Sequence, residues 1–175
     1  MDVVNTGIDE IVAIIFERNS MEEEMKKVLV IGCPGSGKST FSSKLSKEAD
    51  LPVIHLDSYY WKPGWTSCSN EEFDEILKNL LLQETYIMDG NYGRTLDFRI
   101  LYADTVYFFD FPRPLCLYRV MKRTILNHGT TGKYMGKDCQ ESIDYKFIKS
   151  VWNFRKNQRM KIINVLEKYR GSKNI

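Results

Sequence analysis

Histidine, paired cysteine and long apolar runs are all scarce in this chain of 175 residues. There are two histidines, and the four cysteines, at positions 33, 68, 116 and 139, form no CxxC pair. A zinc site and a disulfide framework are therefore not expected. No apolar run approaches the ~20 residues that a membrane helix needs. We expect a cytoplasmic protein with reduced thiols and no membrane span.

The net charge is small, but the charged residues are unevenly distributed. The net charge is +2, whereas residues 111–175 contain 15 Lys and Arg against 4 Asp and Glu, a net of +11. Residues 1–110 contain 10 against 19, a net of −9. Solvated helix faces explain most such lysines, and the alternative is a half that binds anions, either phosphates or nucleic acid.

The length and the composition, 43% hydrophobic and 27% charged, are typical of one globular domain. We expect residues 1–24 to form an N-terminal extension, in which Ile8, Ile11, Val12 and Ile15 share one helical face. Residues 25–175 would form the domain, with a lid or substrate segment at about 113–140. The oligomeric state stays open.

Strands alternate with helices along the domain. The apolar pattern predicts strands over residues 28–32, 53–56, 85–88 and 105–109. It also predicts helices over residues 38–48, 115–127 and about 144–169. A further helix is predicted to begin after an N-cap at Ser69. This alternation is typical of an α/β fold with a parallel sheet, which binds its ligands at the carboxyl ends of the strands.

The most specific motif is Gly32-Cys-Pro-Gly-Ser-Gly-Lys-Ser39, which matches G-x-x-x-x-G-K-[ST] between a predicted strand and a predicted helix. Its glycines let backbone N–H groups curl around an anion at a helix N-terminus. We expect Lys38 to reach the β- and γ-phosphates of ATP and Ser39 to hold Mg²⁺. The predicted nucleotide-binding residues are Gly32, Pro34, Gly35, Ser36, Gly37, Lys38, Ser39 and Thr40.

Three acidic residues end the predicted strands. Asp57 is expected to accept a proton from an acceptor hydroxyl and to bind the acceptor; the alternatives are that it binds Mg²⁺ through water or caps a helix or turn. Asp89 is expected to orient Mg²⁺ or to contact the acceptor. For Asp110 a capping role is at least as well supported.

Arginines recur where anionic groups would lie. Arg94 and Arg99 follow the third predicted strand, where they would bind the acceptor. Two further pairs have i, i+4 spacing and would stabilise the transferred charge: Arg119 with Arg123, and Arg155 with Arg159. The alternative for each pair is an ion pair with a strand-end carboxylate.

Five segments resemble the family of DNA topology modulation proteins (FlaR-like) within the adenylate-kinase-like P-loop kinases. They are VLVIGCPGSGKST, PVIHLDSYYWKPGW, YIMDGNYGRTLDFR, ADTVYFFDFPRPLCLYRVMKR and FIKSVWNFRKNQR, and they span about residues 26–169. The resemblance implies an α/β P-loop NTPase three-layer sandwich of the nucleoside-monophosphate-kinase type, with strand order 2-3-1-4-5. It also implies ATP and Mg²⁺ at the glycine-rich turn and a lid after the fourth strand.

The chain departs from that pattern at its end, where the fifth strand is barely begun and is expected to be truncated or absent. Two functions remain open. The first is a kinase that transfers the γ-phosphate of ATP to a small-molecule or nucleotide acceptor. The second is an ATP-binding, DNA-associated regulator, although no DNA-binding motif is visible. A nucleotide-binding scaffold without activity is a further alternative.

Overall fold

The computed structural model describes residues 10, 12, 13, 25–132 and 134–175. Its strands are β1 (Lys27–Gly32), β2 (Val53–His55), β3 (Trp61–Lys62), β4 (Thr66–Ser67), β5 (Tyr86–Asp89) and β6 (Thr105–Phe109). Its α-helices are α1 (Lys38–Ala49), α2 (Leu56–Tyr60), α3 (Asn70–Leu81), α4 (Leu96–Tyr102), α5 (Arg113–Leu126), α6 (Tyr145–Phe154) and α7 (Met160–Tyr169).

Four strands form one parallel sheet in the order β2-β5-β1-β6. The register pairs Val30 with Asp89 and His55 with Asp89, while Gly32 pairs with Phe109. The four strands therefore finish at one edge, which is where an α/β sheet binds its ligands. This order confirms the predicted arrangement 2-3-1-4 of the first four sheet strands and the α/β fold class.

Each face of the sheet has its own apolar core. Val28 and Val30 of β1 pack with Phe41 and Leu45 of α1 on one face. The alternate residues of β1, Leu29 and Ile31, lie in a larger cluster on the opposite face, to which helices α3 to α7 all contribute. Continuous apolar strands such as β1 are buried on both faces, so the chain forms a three-layer sandwich.

The fifth strand is reduced to a single parallel bridge between Thr105 and Asn174. The backbone N–H of Val106 donates to Asn174 O at 2.8 Å, and Asn174 N–H donates to Asp104 O at 3.0 Å. Within the described residues, the segment after α7 thus adds one bridge beside β6.

Part of the predicted N-terminal extension packs against the core. Residues 10, 12 and 13 are helical, and Val12 is only 4% exposed within the cluster of α1. The other apolar residues predicted for that helical face, Ile8, Ile11 and Ile15, lie outside the described residues. The division of the chain at residue 24 stays a prediction.

Two predicted elements differ in the structure, the second strand and the last helix. The second strand ends at His55, and Asp57 lies in the short helix α2 instead of at the strand end. Ser58 Oγ donates to His55 O at 2.7 Å, a local bond that favours the turn over further extension. The predicted last helix is divided into α6 and α7 by a π-helical turn at Arg155–Arg159.

One capping prediction is confirmed. Ser69 is the N-cap of α3, and its Oγ accepts from Glu72 N at 3.2 Å. In the part of the chain that the structure describes, no helix is long and apolar enough to cross a lipid bilayer.

Candidate functional site

The turn from β1 to α1 has the backbone geometry of a phosphate cradle. Gly32, Gly35 and Gly37 have φ values of 138°, 79° and 99°, in the range that favours glycine. Gly37 is the N-cap of α1 and has no side chain with which to cap the helix. The first N–H groups of α1, including those of Ser39 and Thr40, are thus left to an external acceptor, and the helix dipole favours an anion there.

Helix α5 supports this turn from behind. A Cβ atom at Gly35 would overlap Cys116 O and would lie 2.8 Å from a methyl group of Val120, so only glycine fits against α5. From the same helix, Arg119 Nη1 donates to Ser36 O at 2.9 Å, and its guanidinium lies 5.5 Å from the centroid of the Phe111 ring. Arg119 therefore contacts the turn, and its role in stabilising the transferred charge stays a prediction.

Lys38 lies over the turn itself. Its Nζ donates to Cys33 O at 2.9 Å, which places a positive charge inside the loop.

A hydrogen bond from Cys33, together with the charges of Lys38 and Arg119, lowers the pKa of the buried Cys116 thiol to about 7. The interaction with Cys116 and burial raise the pKa of Cys33. All four cysteines are free and buried.

Asp57 is a half-buried carboxylate in the first turn of α2. Its Oδ1 accepts from the hydroxyl of Tyr92 at 2.6 Å. Burial raises the pKa of Asp57, and Asp89 contributes to the increase, whereas Tyr92, Lys38 and Arg123 oppose it. These interactions place Asp57 near Asp89 at the end of β5, near Lys38 of the turn and near Arg123, one of the predicted arginines.

Asp89 ends β5 and is 5% exposed. Its Oδ2 lies 3.1 Å from His55 Nδ1, and the His55 ring packs on Tyr134 with centroids 4.2 Å apart. Tyr134 in turn accepts from Ser43 Oγ of α1 at 3.1 Å. Within the described residues, no cluster of three or more His, Cys, Asp or Glu could hold a metal ion.

Asp110, which follows β6, binds the late arginine pair. Arg159 contacts Asp110 Oδ2 at 2.7 Å through both Nε and Nη2, and Arg155 Nη2 lies 3.7 Å from the same oxygen. The carboxylate raises the pKa of Arg159. The π-helical turn places both arginines near one carboxylate, so the ion-pair alternative describes this structure and the phosphate role stays a prediction.

Arg123 pairs with Glu141, a residue that no sequence motif indicated. Arg123 Nε lies 2.9 Å from Glu141 Oε1, and Thr124 Oγ1 donates to the other carboxylate oxygen at 3.5 Å. Glu141 is only 5% exposed. Glu141 starts a polar stretch with no strand or helix pattern, so no sequence signal indicated it; only the folding of residues 128–141 against α5 brings it to Arg123.

Arg94 and Arg99 have partners of their own. Arg94 binds Asp74 through two contacts of 3.0 and 2.6 Å at the surface. Arg99 is fully buried and donates to the carbonyl oxygens of Gly90, Asn91 and Tyr92 at 3.0 to 3.1 Å. The structure therefore does not bring these two arginines together as an acceptor site, and that predicted role lacks geometric support.

The loop after α5 covers the segment between β2 and α3. Trp65 Nε1 donates to Gln140 O at 2.9 Å, and Cys139 Sγ donates to Lys62 O at 3.4 Å. A Cβ atom at Gly136 would overlap the carbonyl oxygen of Trp61. Of the predicted lid segment 113–140, the helical part packs on the core through Cys116 and Val120, and the loop part forms this cover.

In sequence, the chain is similar to proteins named adenylate kinase. It is 26% identical to the one from Rickettsia akari (strain Hartford) over 147 residues, which cover 69% of this chain and 64% of that protein. It is 24% identical over 174 residues to the one from Rickettsia conorii (strain ATCC VR-613 / Malish 7). It is 25% identical over 168 residues to the one from Rickettsia prowazekii (strain Madrid E). Each of the last two matches covers 78% of this chain and 77% of the relative.

Among solved structures, shikimate kinase from Aquifex aeolicus vf5 aligns with a TM-score of 0.45 and 19% identity, over 77% of this chain and 82% of that one. No protein-family model matches the chain.

Proposed function

We propose that this chain is an ATP-dependent phosphotransferase, a P-loop kinase with a small acceptor. The observation that carries the proposal is the glycine-lined turn from β1 to α1, with Lys38 and Arg119 around it. The similarity to adenylate kinases supports the same reaction class.

The turn would bind the triphosphate. Backbone N–H groups of the turn and of the first turn of α1 would surround the β- and γ-phosphates, and Lys38 would exchange its bond to Cys33 O for a phosphate oxygen. Arg119 would hold the turn in place through Ser36 O. Arg123, Arg155 and Arg159 would add charge stabilisation only on leaving the carboxylates that they now bind.

Mg²⁺ fits the polar groups beside this turn. Ser39 lies in the first turn of α1, and Asp89 ends the neighbouring strand with its carboxylate held by His55. Mg²⁺ takes oxygen ligands and usually keeps several waters, so a hydroxyl and one carboxylate are sufficient when phosphate oxygens supply the rest. When bound, the ion would neutralise charge on the β- and γ-phosphates.

Asp57 would serve the acceptor. The acceptor hydroxyl oxygen would form a bond to the γ-phosphorus, the bond from that phosphorus to the β,γ-bridging oxygen would break, and the hydroxyl proton would pass to Asp57. The hydrogen bond from Tyr92 orients the carboxylate for this role.

DNA binding and the resemblance to DNA topology modulation proteins stay predictions. The relatives in sequence are named as kinases. Several basic side chains of the second half bind carboxylates of the chain itself, including Arg159 with Asp110 and Lys168 with Asp97. Binding to duplex DNA that weakens steeply between ~50 and ~200 mM salt would favour this second function.

The test is a pair of lysine variants in α1. For Lys38→Ala we expect Mg–ATP affinity to fall at least about tenfold and the rate of ADP release to fall at least about a hundredfold. The reason is that the variant lacks the positive charge that would contact the transferred phosphate. Calorimetry measures the affinity, and a coupled assay with a panel of hydroxyl compounds measures ADP release.

Lys47→Ala is the matched control, because Lys47 is exposed in the last turn of the same helix. It should leave both quantities unchanged. If Lys38→Ala keeps full nucleotide affinity and full ADP release, the proposal is wrong.

A further inference from the structure

Arg94 and Arg99, which follow β5, both bind other groups of the protein. Arg94 forms a two-pronged ion pair with Asp74, and its Nη2 also lies 3.4 Å from Asn70 O. The pair is charged on both sides, since Arg94 lowers the pKa of Asp74. A phosphate or carboxylate on the acceptor would have to displace Asp74 in order to bind Arg94.

Arg99 is even less available. It is 0% exposed, and in addition to the three backbone carbonyls its Nε donates to Thr95 Oγ1 at 3.2 Å. These bonds hold the turn from Gly90 to Tyr92, which follows the end of β5. Arg99 therefore fixes the backbone of the turn after β5, and its buried guanidinium is not accessible to an acceptor.

The same region contains negative charge. Asp89 repels the carboxylate of Asp57, although Lys38 and Arg123 partly offset that repulsion. The Oδ2 atom of Asp89 lies 3.1 Å from His55 Nδ1. An anionic group placed between Asp57 and Asp89 would meet like charge. A hydroxyl group has no such cost, because it can donate to Asp57 Oδ2 while Tyr92 occupies Oδ1.

Aromatic rings pack around Tyr92, whose hydroxyl donates to Asp57. The ring of Tyr92 packs against Tyr60 and Phe73, with centroids 4.8 Å apart in both pairs, and Tyr60 packs against Trp61 at 5.0 Å. Such surroundings penalise an unpaired charge far more than a neutral polar group.

From this arrangement we infer that the acceptor is an electrically neutral hydroxyl compound with an apolar face, and not a nucleotide or other phosphate ester. The inference rests on the proposed kinase function and adds the substrate class. The acceptor oxygen takes the γ-phosphoryl group, ADP leaves, and the proton goes to Asp57, so the product bears the anionic charge that the substrate lacked.

The experiment compares matched acceptors on the unmodified full chain. The pairs are adenosine with AMP, thymidine with its monophosphate, glucose with glucose phosphate and glycerol with glycerol phosphate, each with Mg–ATP in a coupled ADP assay. We expect at least one neutral member to raise ADP release at least about tenfold above the acceptor-free rate, and to exceed its phosphorylated partner by a similar factor.

Calorimetry with Mg–ATP alone distinguishes failure of this inference from failure of the proposed kinase function. If Mg–ATP binds and a phosphorylated member is the faster one, the inference is overturned while the kinase function stands. If Mg–ATP binds and no neutral member accelerates ADP release, the inference is likewise overturned. If Mg–ATP does not bind, the proposed function itself fails.

Discussion

At the scale of single residues, Asp57 is a half-buried carboxylate whose hydrogen-bond partner, the hydroxyl of Tyr92, can donate to a charged or a neutral oxygen. Its pKa is raised above the ordinary value of 3.8, mainly by burial. Ionisation of Asp57 therefore costs folding free energy, and this cost appears as the pH rises from about 3.8 through the raised pKa. The hydroxyl of Tyr92 can donate equally to a neutral amide oxygen at the same position.

We therefore expect Asp57→Asn to make the protein more stable at pH 7 and to lose this advantage as the pH is lowered. The same change should reduce phosphotransfer by about 10²–10⁴, the usual contribution of a general base. Urea denaturation at several pH values and the ADP assay measure the two effects. Glu84→Gln, at an exposed carboxylate, is the control. Lower stability of Asp57→Asn at pH 7 would contradict this account.

Arg94 and Arg99 lie five positions apart and illustrate two roles of arginine. Arg99 is fully buried, and its guanidinium donates to the carbonyl oxygens of Gly90 and Asn91. Arg94 forms a surface ion pair with an exposed Asp74.

Arg99→Met should lower the free energy of unfolding by about 3 kcal/mol or more, because buried carbonyls lose a donor. Arg94→Gln should lower it by less than about 1 kcal/mol, as is usual for a surface ion pair. Urea denaturation of both variants measures the difference. Equal losses would mean that the bonds from Arg99 contribute little.

At the scale of elements, the turn from β1 to α1 is shaped by two requirements. Gly35 needs a positive φ, and it also needs the absence of a side chain, because α5 lies against it. Gly64 has a similar φ of 71° but no atom within 4 Å of a Cβ built there. A substitution at Gly64 therefore tests backbone strain alone, whereas a substitution at Gly35 adds steric overlap with α5.

Gly64→Ala should lower stability by about 1–2 kcal/mol, the effect of a left-handed backbone alone. Gly35→Ala should lower it clearly more and should also abolish Mg–ATP binding, because the turn must move away from Cys116 and Val120. Thermal denaturation and calorimetry measure these effects. Unaltered nucleotide binding by Gly35→Ala would show that the turn can move without loss of its cradle.

At the scale of the whole molecule, the basic second half closes back onto the acidic first half. Arg159 binds Asp110, Lys168 binds Asp97, and Lys173 Nζ donates to Leu101 O at 3.2 Å. Asn174 completes this closure at the sheet edge through backbone bonds to Asp104 and Val106. Part of the charge asymmetry is thus used within the fold.

Asn174→Pro should lower stability by about 1 kcal/mol or more, because proline removes the N–H that donates to Asp104 O. Asn174→Ala should stay within about 0.5 kcal/mol, since the side chain is exposed and both bonds come from the backbone. Urea denaturation compares the two variants. Equal stability would mean that this bridge does not support the edge of β6.

The strands, the helices and the glycine-rich turn could be predicted from the sequence because their signals are local, whereas the strand order was implied only by the resemblance to a known family. Apolar runs and helical spacing indicated the strands and helices, and residues 32–39 hold their glycines, lysine and serine within a single turn. The position of Asp57 was wrong by one element, since the side-chain bond from Ser58 to His55 competes with extension of β2. Propensity alone does not decide such a competition.

By itself, then, the sequence determined where the glycine-rich turn lies between a strand and a helix, since this property depends on neighbours in the chain. Only the tertiary structure decided which donor meets which acceptor: Arg123 with Glu141, Arg159 with Asp110, and Arg99 with the turn after Gly90. The reason is that a buried charge must find a partner, and the available partners depend on how distant elements pack. Spacing along the chain shows that arginines share a face, but it does not show what that face contacts.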